Sequence, residues 1–268
     1  MILTIDVGNT NIAFGIHTGR RWLDHWRLRT DTEQTADEYL VLFHNLLAVS
    51  GHQFSEIRRI VISSVVPALT PAIVRVAERL TPGVPPLVVH QGLKTGLNRE
   101  TPIPPEMGSD LLANAAAAYD RFRRSSIVVD FGTALTFTAI SDDGRVLGVS
   151  IAPGLRGAMR ILAGTTAQLP TVELVPPPGA LGRNTVHAIQ SGIVFGYVGL
   201  ISELVRRMSE EMDARPTVVA TGGQAEQFAP LAGIFDAVDQ WLTLEGLRLM
   251  AELNPIEGAA GQTAGPEA

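Results

Sequence analysis

The residue types best suited to chemistry at the start of the chain lie in a short polar segment, DVGNT at residues 6–10, between two apolar runs. This pattern predicts a β-hairpin whose turn carries one carboxylate, one glycine and two small hydrogen-bonding side chains. Gly8 lets the backbone approach an anion closely, exposed N–H groups can bind phosphate oxygens, and Asp6 can hold a hydrated Mg²⁺ ion on the phosphates. The same residue types are common in hairpin turns that bind nothing, so both interpretations stay open for this segment alone.

A second copy of the pattern occurs in the middle of the chain. Residues 126–140 read SIVVDFGTALTFTAI, and placing Asp130 on Asp6 gives an offset of 124 residues (130 − 6). The same offset matches two further pairs, Gly132 with Gly8 and Ile140 with Ile16. Two such hairpins, one opening each half of the chain, predict a duplicated domain with a nucleotide in the cleft between the copies. The alternative is a chance similarity between two buried strands.

Composition narrows the class of protein. The chain has 268 residues, of which 46% are hydrophobic and 18% charged, as expected for a soluble globular protein of two domains. No run of eighteen apolar residues and no basic-apolar leader occurs, so we expect neither a membrane span nor secretion, and a cytoplasmic location. A net charge of −6 argues against non-specific nucleic-acid binding, and the absence of cysteine excludes disulfides and thiolate chemistry.

The basic residues exclude one common nucleotide site. Lys94 is the single lysine, and its surroundings (QGLKT) do not fit the G-x-x-x-x-G-K-[ST] motif. Any phosphate transfer must therefore depend on backbone N–H groups, arginines and a metal ion. The six histidines show no close ligand spacing, so a zinc site is not expected.

The surrounding pattern predicts the elements that position these turns. A third strand follows each hairpin, at residues 22–28 and 146–152, and Thr35 with Glu38 has the capping-box spacing of a helix start. Further strands are predicted at 60–66, 86–90 and 217–220, and helices near 70–80, 111–119, 185–212 and from Thr243. We therefore expect an α/β protein of two mixed five-stranded sheets flanked by helices, with domains at residues 1–120 and 121–254 and a disordered tail at 255–268.

Four further positions are candidates for the same site. Thr221 and the two glycines after it end a predicted strand, where a backbone turn can approach a nucleotide. Asp110 follows the long loop at residues 92–108 and is either a helix N-cap or a general base that takes a proton from a substrate hydroxyl. Thr133 and Thr185 are likewise either ligand contacts or ordinary turn and cap residues.

The motifs resemble those of the type III pantothenate kinases, in the order of that family and up to about residue 253. The matching segments are DVGNTN (6–11), TADEY (35–39), ISSVVP (62–67), KTGL (94–97), DFGT (130–133), IAPG (151–154), GRNT (182–185), QSG (190–192), ATGG (220–223) and LTLEGL (242–247). The resemblance implies the actin-like ATPase fold of two ribonuclease-H-like domains. It also implies ATP-dependent phosphorylation of pantothenate to 4'-phosphopantothenate, the first step of coenzyme A synthesis, in a homodimer whose interface helps to shape the substrate pocket.

The resemblance also implies roles for individual residues. Asp110 would be the proton acceptor, and Asp130 would bind the monovalent cation, K⁺ or NH₄⁺, that accompanies ATP and Mg²⁺ in this family. ATP contacts are expected at Asp6, Val7, Gly8, Asn9, Thr10, Asn11, Ile12, Ala13 and Thr133. Pantothenate contacts are expected at Met107, Gly108, Ser109, Asp110, Leu111 and Thr185.

Leu111 departs from the family, which usually has arginine after the catalytic aspartate, and residues 101–104 (TPIP) replace a usual Tyr-Asp-Asn-Pro-like segment. We expect retained activity with a rearranged or weakened site for the pantothenate carboxylate. Another arginine could take over its recognition, and Arg99, Arg156 and Arg160 are the candidates near the pocket segments. Two other functions stay open at this point. One is a non-catalytic regulatory relative, and the other is a phosphotransferase or phosphatase of the same fold with another substrate.

Overall fold

The computed structural model describes residues 1–98, 100, 107–165 and 169–256. The strands are β1 (Ile2–Val7), β2 (Asn11–His17), β3 (Trp22–Arg29), β4 (Arg59–Ser64), β5 (Leu87–Val88), β6 (Ser126–Phe131), β7 (Ala134–Ile140), β8 (Val146–Pro153), β9 (Thr217–Thr221) and β10 (Ala237–Val238). The helices are α1 (Ala36–Val49), α2 (Thr70–Leu80), α3 (Ser109–Phe122), α4 (Leu155–Thr165), α5 (Thr185–Glu210), α6 (Ala225–Ala232) and α7 (Leu242–Leu253), with a short 3₁₀ helix at Phe54–Glu56.

The strands form two five-stranded sheets with the same internal order. The first sheet runs β3-β2-β1-β4-β5 and the second runs β8-β7-β6-β9-β10. In each sheet the first three strands in sequence are antiparallel neighbours and the last two are added in parallel. The predicted architecture of two mixed five-stranded sheets is therefore confirmed.

Strand register corrects one detail of the predicted duplication. Asp6 pairs with Ala13, and Asp130 pairs with Thr136, so β2 and β7 correspond at an offset of 123 (136 − 13). The match of Ile140 with Ile16 was wrong by one residue, because the second hairpin turn is one residue shorter. Both second strands carry a β-bulge at the corresponding place, between Ile16 and His17 and between Ala139 and Ile140. The corrected offset makes Thr133 the counterpart of Thr10.

Alternation along the central strands separates two faces of each sheet. In β1, Leu3, Ile5 and Val7 pack into a core with α1 and α2, whereas Asp6 lies on the opposite face. In β6, Ile127, Val129 and Phe131 pack into a second core with α5 and α6. Asp130 shares the other face with Val128, which belongs to a third core. Both carboxylates are thus placed on the inner faces of their sheets.

The third core lies between the halves and is built mainly from α3 and α7. Gly246 of α7 allows this close packing, because a Cβ there would lie 2.0 Å from the backbone oxygen of Ala113 in α3. Helix α7 also contacts β1 and β4 of the first sheet, and α3 contacts β6 of the second. The predicted domain division at residue 120 stays a prediction, with α3 extending across it to Phe122. Of the predicted tail at 255–268, residues 257–268 lie outside the described part of the chain.

Several element boundaries differ from the sequence prediction. The strands predicted at 60–66 and 86–90 are shorter, and β10 and the 3₁₀ helix were not predicted. The predicted capping box is confirmed, since the Glu38 N–H donates to Thr35 Oγ1 and the Thr35 N–H donates to Glu38 Oε2. None of these differences changes the order of the strands in either sheet.

Candidate active site

Three carboxylates meet at the cleft between the sheets. Asp6 and Asp130 are the second-to-last residues of β1 and β6, and Asp110 is in the first turn of α3. Burial, followed by the charge of Asp110, raises the pKa of Asp6 to about 7 and the pKa of Asp130 to about 6. Burial also raises the pKa of Asp110. The charge of Asp130 also contributes to the raised pKa of Asp6, which supports the prediction that the two carboxylates face one cleft.

Strand pairing places at least one hydroxyl-bearing residue beside each of the two strand carboxylates. In the first sheet, Ser63 and Ala13 flank Asp6, and a hydrogen bond from Ser63 opposes the rise in the pKa of Asp6. Asp6 Oδ1 is nevertheless buried without a hydrogen-bond partner among the described residues. A buried, unpaired carboxylate oxygen is costly unless a ligand binds it, so this atom marks a place for a cation.

The second sheet repeats the arrangement with hydroxyl groups. Thr221 and Thr136 flank Asp130, and the Oγ1 atoms of both threonines are buried with no partner in the described part of the chain. The Asn114 amide donates to Asp130 Oδ2 at 2.9 Å and is itself held by the Thr243 hydroxyl at 2.8 Å. One carboxylate and two unpaired hydroxyls form an oxygen-rich site, which suits a hard cation.

The two hairpin turns touch at their tips. Thr10 Oγ1 lies 2.6 Å from Thr133 Oγ1, which joins the two halves through counterpart residues. The first turn is fixed by Thr30, whose Oγ1 donates to the Gly8 carbonyl at 2.6 Å and whose N–H donates to the Thr10 carbonyl at 2.9 Å. The second is fixed by the Gly154 N–H, which donates to the Thr133 carbonyl at 3.1 Å. Asn9, Thr10 and Asn11 are exposed at this junction, whereas the side chains of Val7 and Ile12 are buried, which leaves only their backbone groups for a ligand.

Asp110 is not the N-cap of α3. Gly108 occupies that position, and Asp110 is the second helical residue, where its Oδ1 accepts a hydrogen bond from the Leu111 N–H at 2.8 Å. The cap interpretation of Thr185 is also wrong, since Asn184 caps α5 through its Oδ1 and the His187 N–H. With Gly108 at the N-cap, the general-base role of Asp110 stays a prediction.

A cavity of about 310 Å³ opens beside α3 and contains several predicted substrate contacts. Its lining residues are Ser64, Val65, Val89, His90, Gln91, Met107, Gly108, Ser109 and Leu112. Ser109 is anchored to the first sheet, because its Oγ lies 2.9 Å from Ser63 Oγ and accepts from the Ser64 N–H at 3.1 Å. Three of the predicted contacts do not line this cavity. Asp110 directly follows the lining residue Ser109, Leu111 is only 8% exposed, and Thr185 is exposed at the start of α5.

A larger cavity of about 450 Å³ lies elsewhere, at the turn between β2 and β3. Its walls include Arg20, Trp22, His25, Trp241 and Arg248. That turn is at the opposite end of the strands from Asp6, so the larger cavity is not the one that holds the carboxylates.

Sequence reasoning missed several residues of the site. Ser63 and Thr136 could have been found by aligning each strand against the central aspartate, because each lies directly opposite it in register, as does Thr221, which the sequence had already indicated. Asn114 had no local signal, since it lies inside an alanine-rich helix. Among the described residues no group of three or more His, Cys, Asp or Glu side chains is placed to hold a metal. A Mg²⁺ ion here would therefore share one or two carboxylates with the phosphates of a nucleotide.

The sequence is similar to those of one known family of proteins. The family model of the type III pantothenate kinases matches residues 2–207. The type III pantothenate kinase of Geobacter sulfurreducens is 45% identical over 257 residues, which cover 95% of this chain and 99% of that protein. The same-named protein of Moorella thermoacetica is 44% identical over 254 residues, which cover 95% and 100%.

Solved structures agree on the fold. A protein of Sinorhizobium meliloti, provisionally described as a 2-dehydro-3-deoxygalactonokinase, superposes with a TM-score of 0.58 at 15% identity and covers 94% of this chain and 98% of its own. At this identity the likeness shows the fold alone. It is the actin-like ATPase and sugar kinase fold, with duplicated ribonuclease-H-like domains.

Proposed function

Because the chain belongs to the type III pantothenate kinases, we propose that the cleft between its two sheets binds ATP on the hairpin turns and pantothenate in the cavity beside α3. The enzyme phosphorylates pantothenate to 4'-phosphopantothenate, the first step of coenzyme A synthesis, at the expense of ATP. The observation that carries the site assignment is the contact between the Thr10 and Thr133 hydroxyls, which joins the two hairpin turns that follow Asp6 and Asp130. The raised pKa values of these two carboxyl groups support it.

The carboxylates take different roles in this proposal. Asp110 accepts the proton of the pantothenate hydroxyl, since its raised pKa makes it a stronger base than an ordinary aspartate. Asp6 supports the metal ion through its unpaired Oδ1. Bound Mg²⁺ neutralises charge on the transferred phosphoryl group. Backbone N–H groups of residues 8–13 and the Thr10 and Thr133 hydroxyls hold the phosphate oxygens.

Asp130 is proposed to hold the monovalent cation together with the hydroxyls of Thr136 and Thr221. Each of these hydroxyls is buried without a partner, which is the donor chemistry that K⁺ or NH₄⁺ requires. The Asn114 amide fixes the Asp130 carboxylate in place. A bound cation supplies positive charge beside the nucleotide phosphates.

The raised pKa of Asp6 predicts a specific dependence on pH. Its folded-state pKa of about 7 lies above its ordinary value of 3.8. The folded protein therefore holds this proton more tightly than the unfolded chain does, and the resulting contribution to stability is lost as the pH rises from about 4 to about 7. We expect the free energy of unfolding of the metal-free enzyme to fall across this window. Mg²⁺ with a nucleotide binds the ionised form, so its apparent affinity rises with pH through about 7.

Urea denaturation at several pH values measures the first effect, and magnesium titration of nucleotide binding measures the second. Asp6→Asn is the control, because the amide keeps the size of the side chain but does not titrate. The difference between the wild type and this variant isolates Asp6 from Asp130. Identical pH profiles for both proteins would show that Asp6 is ionised throughout.

The carboxylate of pantothenate is proposed to be bound by His90. Among the residues that line the 310 Å³ cavity, His90 alone has a side chain that can carry a positive charge. Its Nδ1 accepts from the Gly92 N–H at 3.0 Å, so Nε2 carries the proton of the neutral ring and can donate. In this proposal His90 takes the place of the arginine that position 111 lacks.

We expect His90→Ala to raise the KM for pantothenate roughly 10-fold or more, in line with about 1.5–3 kcal/mol for a hydrogen bond to a charged group. Leu111→Arg is expected to give no fall in KM, because residue 111 does not line the cavity. Steady-state kinetics with pantothenate as the varied substrate measure both. A marked fall in KM for Leu111→Arg would restore position 111 as the carboxylate site.

A homodimer is proposed from the exposed apolar surface of the second half. Ile151 of β8 is 69% exposed, Leu181 before α5 is 90% exposed, and Ile161 of α4 and Phe195 of α5 are also exposed. Among the described helices, α5 alone is long and apolar enough to span a membrane by length and composition, and 39% of its most apolar stretch is buried. A second copy of the chain would cover this surface and bring Thr185 to an interface. Sedimentation equilibrium is expected to give twice the mass of the chain, and a monomer at micromolar concentration would contradict the dimer.

A coupled assay for ADP tests the function as a whole. We expect ADP release that depends on pantothenate and on a monovalent cation. A regulatory relative would release no ADP under any condition, and a phosphatase of this fold would release phosphate from polyphosphate without pantothenate. The proposal places this activity in the cytoplasm, with no nucleic acid or membrane as partner.

A further inference from the structure

Arg27 lies on the same face of the first sheet as the metal-supporting Asp6. Asp6 pairs with Ala13 across β1 and β2, and Ala13 pairs with Arg27 across β2 and β3. Residues directly opposite each other in a sheet project to the same side, so these three residues form one row facing the cleft. The sequence motif of the turn gives no indication of this row, because Arg27 is 21 residues from Asp6 (27 − 6).

The guanidinium group of Arg27 is held by an aromatic ring and a backbone turn. Its Cζ lies 4.8 Å from the ring centroid of Trp241, which is itself stacked on His25 at 4.7 Å. On the other side, a Cβ added to Gly223 would lie 3.3 Å from Arg27 Nη1. Arg27 therefore reaches from the first sheet to the Thr221-Gly222-Gly223 turn of the second half.

The charge of Arg27 is not used by a direct ion pair. The positive charge of Arg27 partly opposes the rise in the pKa of Asp6 and of Asp130. No hydrogen bond or salt bridge joins its side chain to any residue in the described ranges. Arg27 is exposed to solvent, although partial burial against its neighbours lowers the pKa of its guanidinium group. An arginine with five donors, fixed in place and without a protein acceptor, matches the geometry that binds phosphate.

The corresponding position in the second half carries no charge. There the row runs from Asp130 through Thr136 to Ile151, an apolar side chain that is 69% exposed. The duplicated fold thus provides a cation beside one carboxylate only. A single positively charged side chain is enough for one nucleotide, because its phosphate chain enters the cleft in one orientation.

We propose that Arg27 binds the phosphate chain of ATP and stabilises the negative charge that develops during transfer, as a P-loop lysine does in other nucleotide sites. This inference rests on the nucleotide site proposed above. The single lysine of the chain, Lys94, cannot serve, because its backbone is bonded to Asn254 beyond the end of α7. Trp241 acts as a positioning residue that keeps the guanidinium over the cleft.

The test is Arg27→Ala, compared with Arg27→Lys and with Arg20→Gln on the exposed turn of the same strands. We expect Arg27→Ala to lower kcat/KM for ATP about 10²- to 10³-fold, as does removal of one preorganised donor in other enzymes. The KM for pantothenate should change little, Arg27→Lys should recover part of the loss, and Arg20→Gln should match the wild type. Added methylguanidinium should restore part of the activity of Arg27→Ala.

Two results would overturn the inference. Wild-type kcat/KM for ATP in Arg27→Ala would remove any role for the side chain. A loss of activity that follows a fall in melting temperature, with no rescue by methylguanidinium or by lysine, would mean that Arg27 only balances the charge of the carboxylates. Asp6→Asn separates these from a failure of the nucleotide site itself, because unchanged ATP kinetics in that variant as well would place ATP elsewhere.

Discussion

Asp110→Asn is expected to lower pantothenate-dependent ADP release about 10²- to 10⁴-fold while ATP affinity stays nearly unchanged. The substitution removes the group that accepts the hydroxyl proton. It keeps an oxygen at Oδ1, so the hydrogen bond from the Leu111 N–H in the first turn of α3 is preserved. Loss of one negative charge from a cleft with three carboxylates also relieves repulsion, so the fold is not expected to weaken.

Two measurements complete this test. Fluorescence titration with ATP reports nucleotide binding directly, and thermal melting reports the fold. Asp120→Asn, near the far end of the same helix, is the matched control and should keep the wild-type rate. Turnover of Asp110→Asn at the wild-type rate would leave Asp110 with a structural role only.

Gly222→Ala is expected to abolish cation-dependent activity and to lower the free energy of unfolding by roughly 2–6 kcal/mol. Gly222 has φ +91°, and a Cβ there would lie 2.3 Å from Asp130 Oδ1 and 2.8 Å from the Phe131 backbone nitrogen. The range combines about 1–3 kcal/mol of backbone strain with about 1–3 kcal/mol of overpacking. The methyl group would also displace the carboxylate that is proposed to hold the cation.

Gly233→Ala separates strain from contact. Gly233 also has a left-handed backbone, with φ +64°, but a Cβ there meets nothing within 4 Å. Only strain of about 1–2 kcal/mol is expected, with normal activity. Urea denaturation and kinetics at varied K⁺ concentration measure both variants. Equal losses in the two would show that the contact with Asp130 contributes nothing.

The sequence was sufficient for the fold because its strongest signals are local and repeated. Apolar runs around DVGNT and DFGT predicted both hairpins, and the repeat of that pattern predicted two sheets of the same kind. The capping box at Thr35 and the glycine-containing turn at 221–223 were likewise readable, because each depends on neighbours within a few residues. The family motifs then identified the kinase to which this chain is similar along nearly its whole length.

Other features needed the register of the strands. A turn shorter by one residue moved the match of β7 on β2 from 124 to 123 and so paired Thr133 with Thr10, whose hydroxyls meet at 2.6 Å. An alignment of the two halves at one fixed offset cannot match both the first and the second strands of the hairpins. The structure also removed the cap interpretation of Asp110, because Gly108 occupies the N-cap position.

The sequence by itself therefore determined which residues carry charge and which turns carry them, because hairpin and strand patterns are short-range properties of the chain. Only the tertiary structure decided which groups share one cleft. Asn114 reaches Asp130, and Arg27 reaches the turn at Gly223, through contacts between segments far apart in sequence. The raised pKa values of Asp6 and Asp130 arise for the same reason, since burial and repulsion depend on distances that are set only when the two halves pack together.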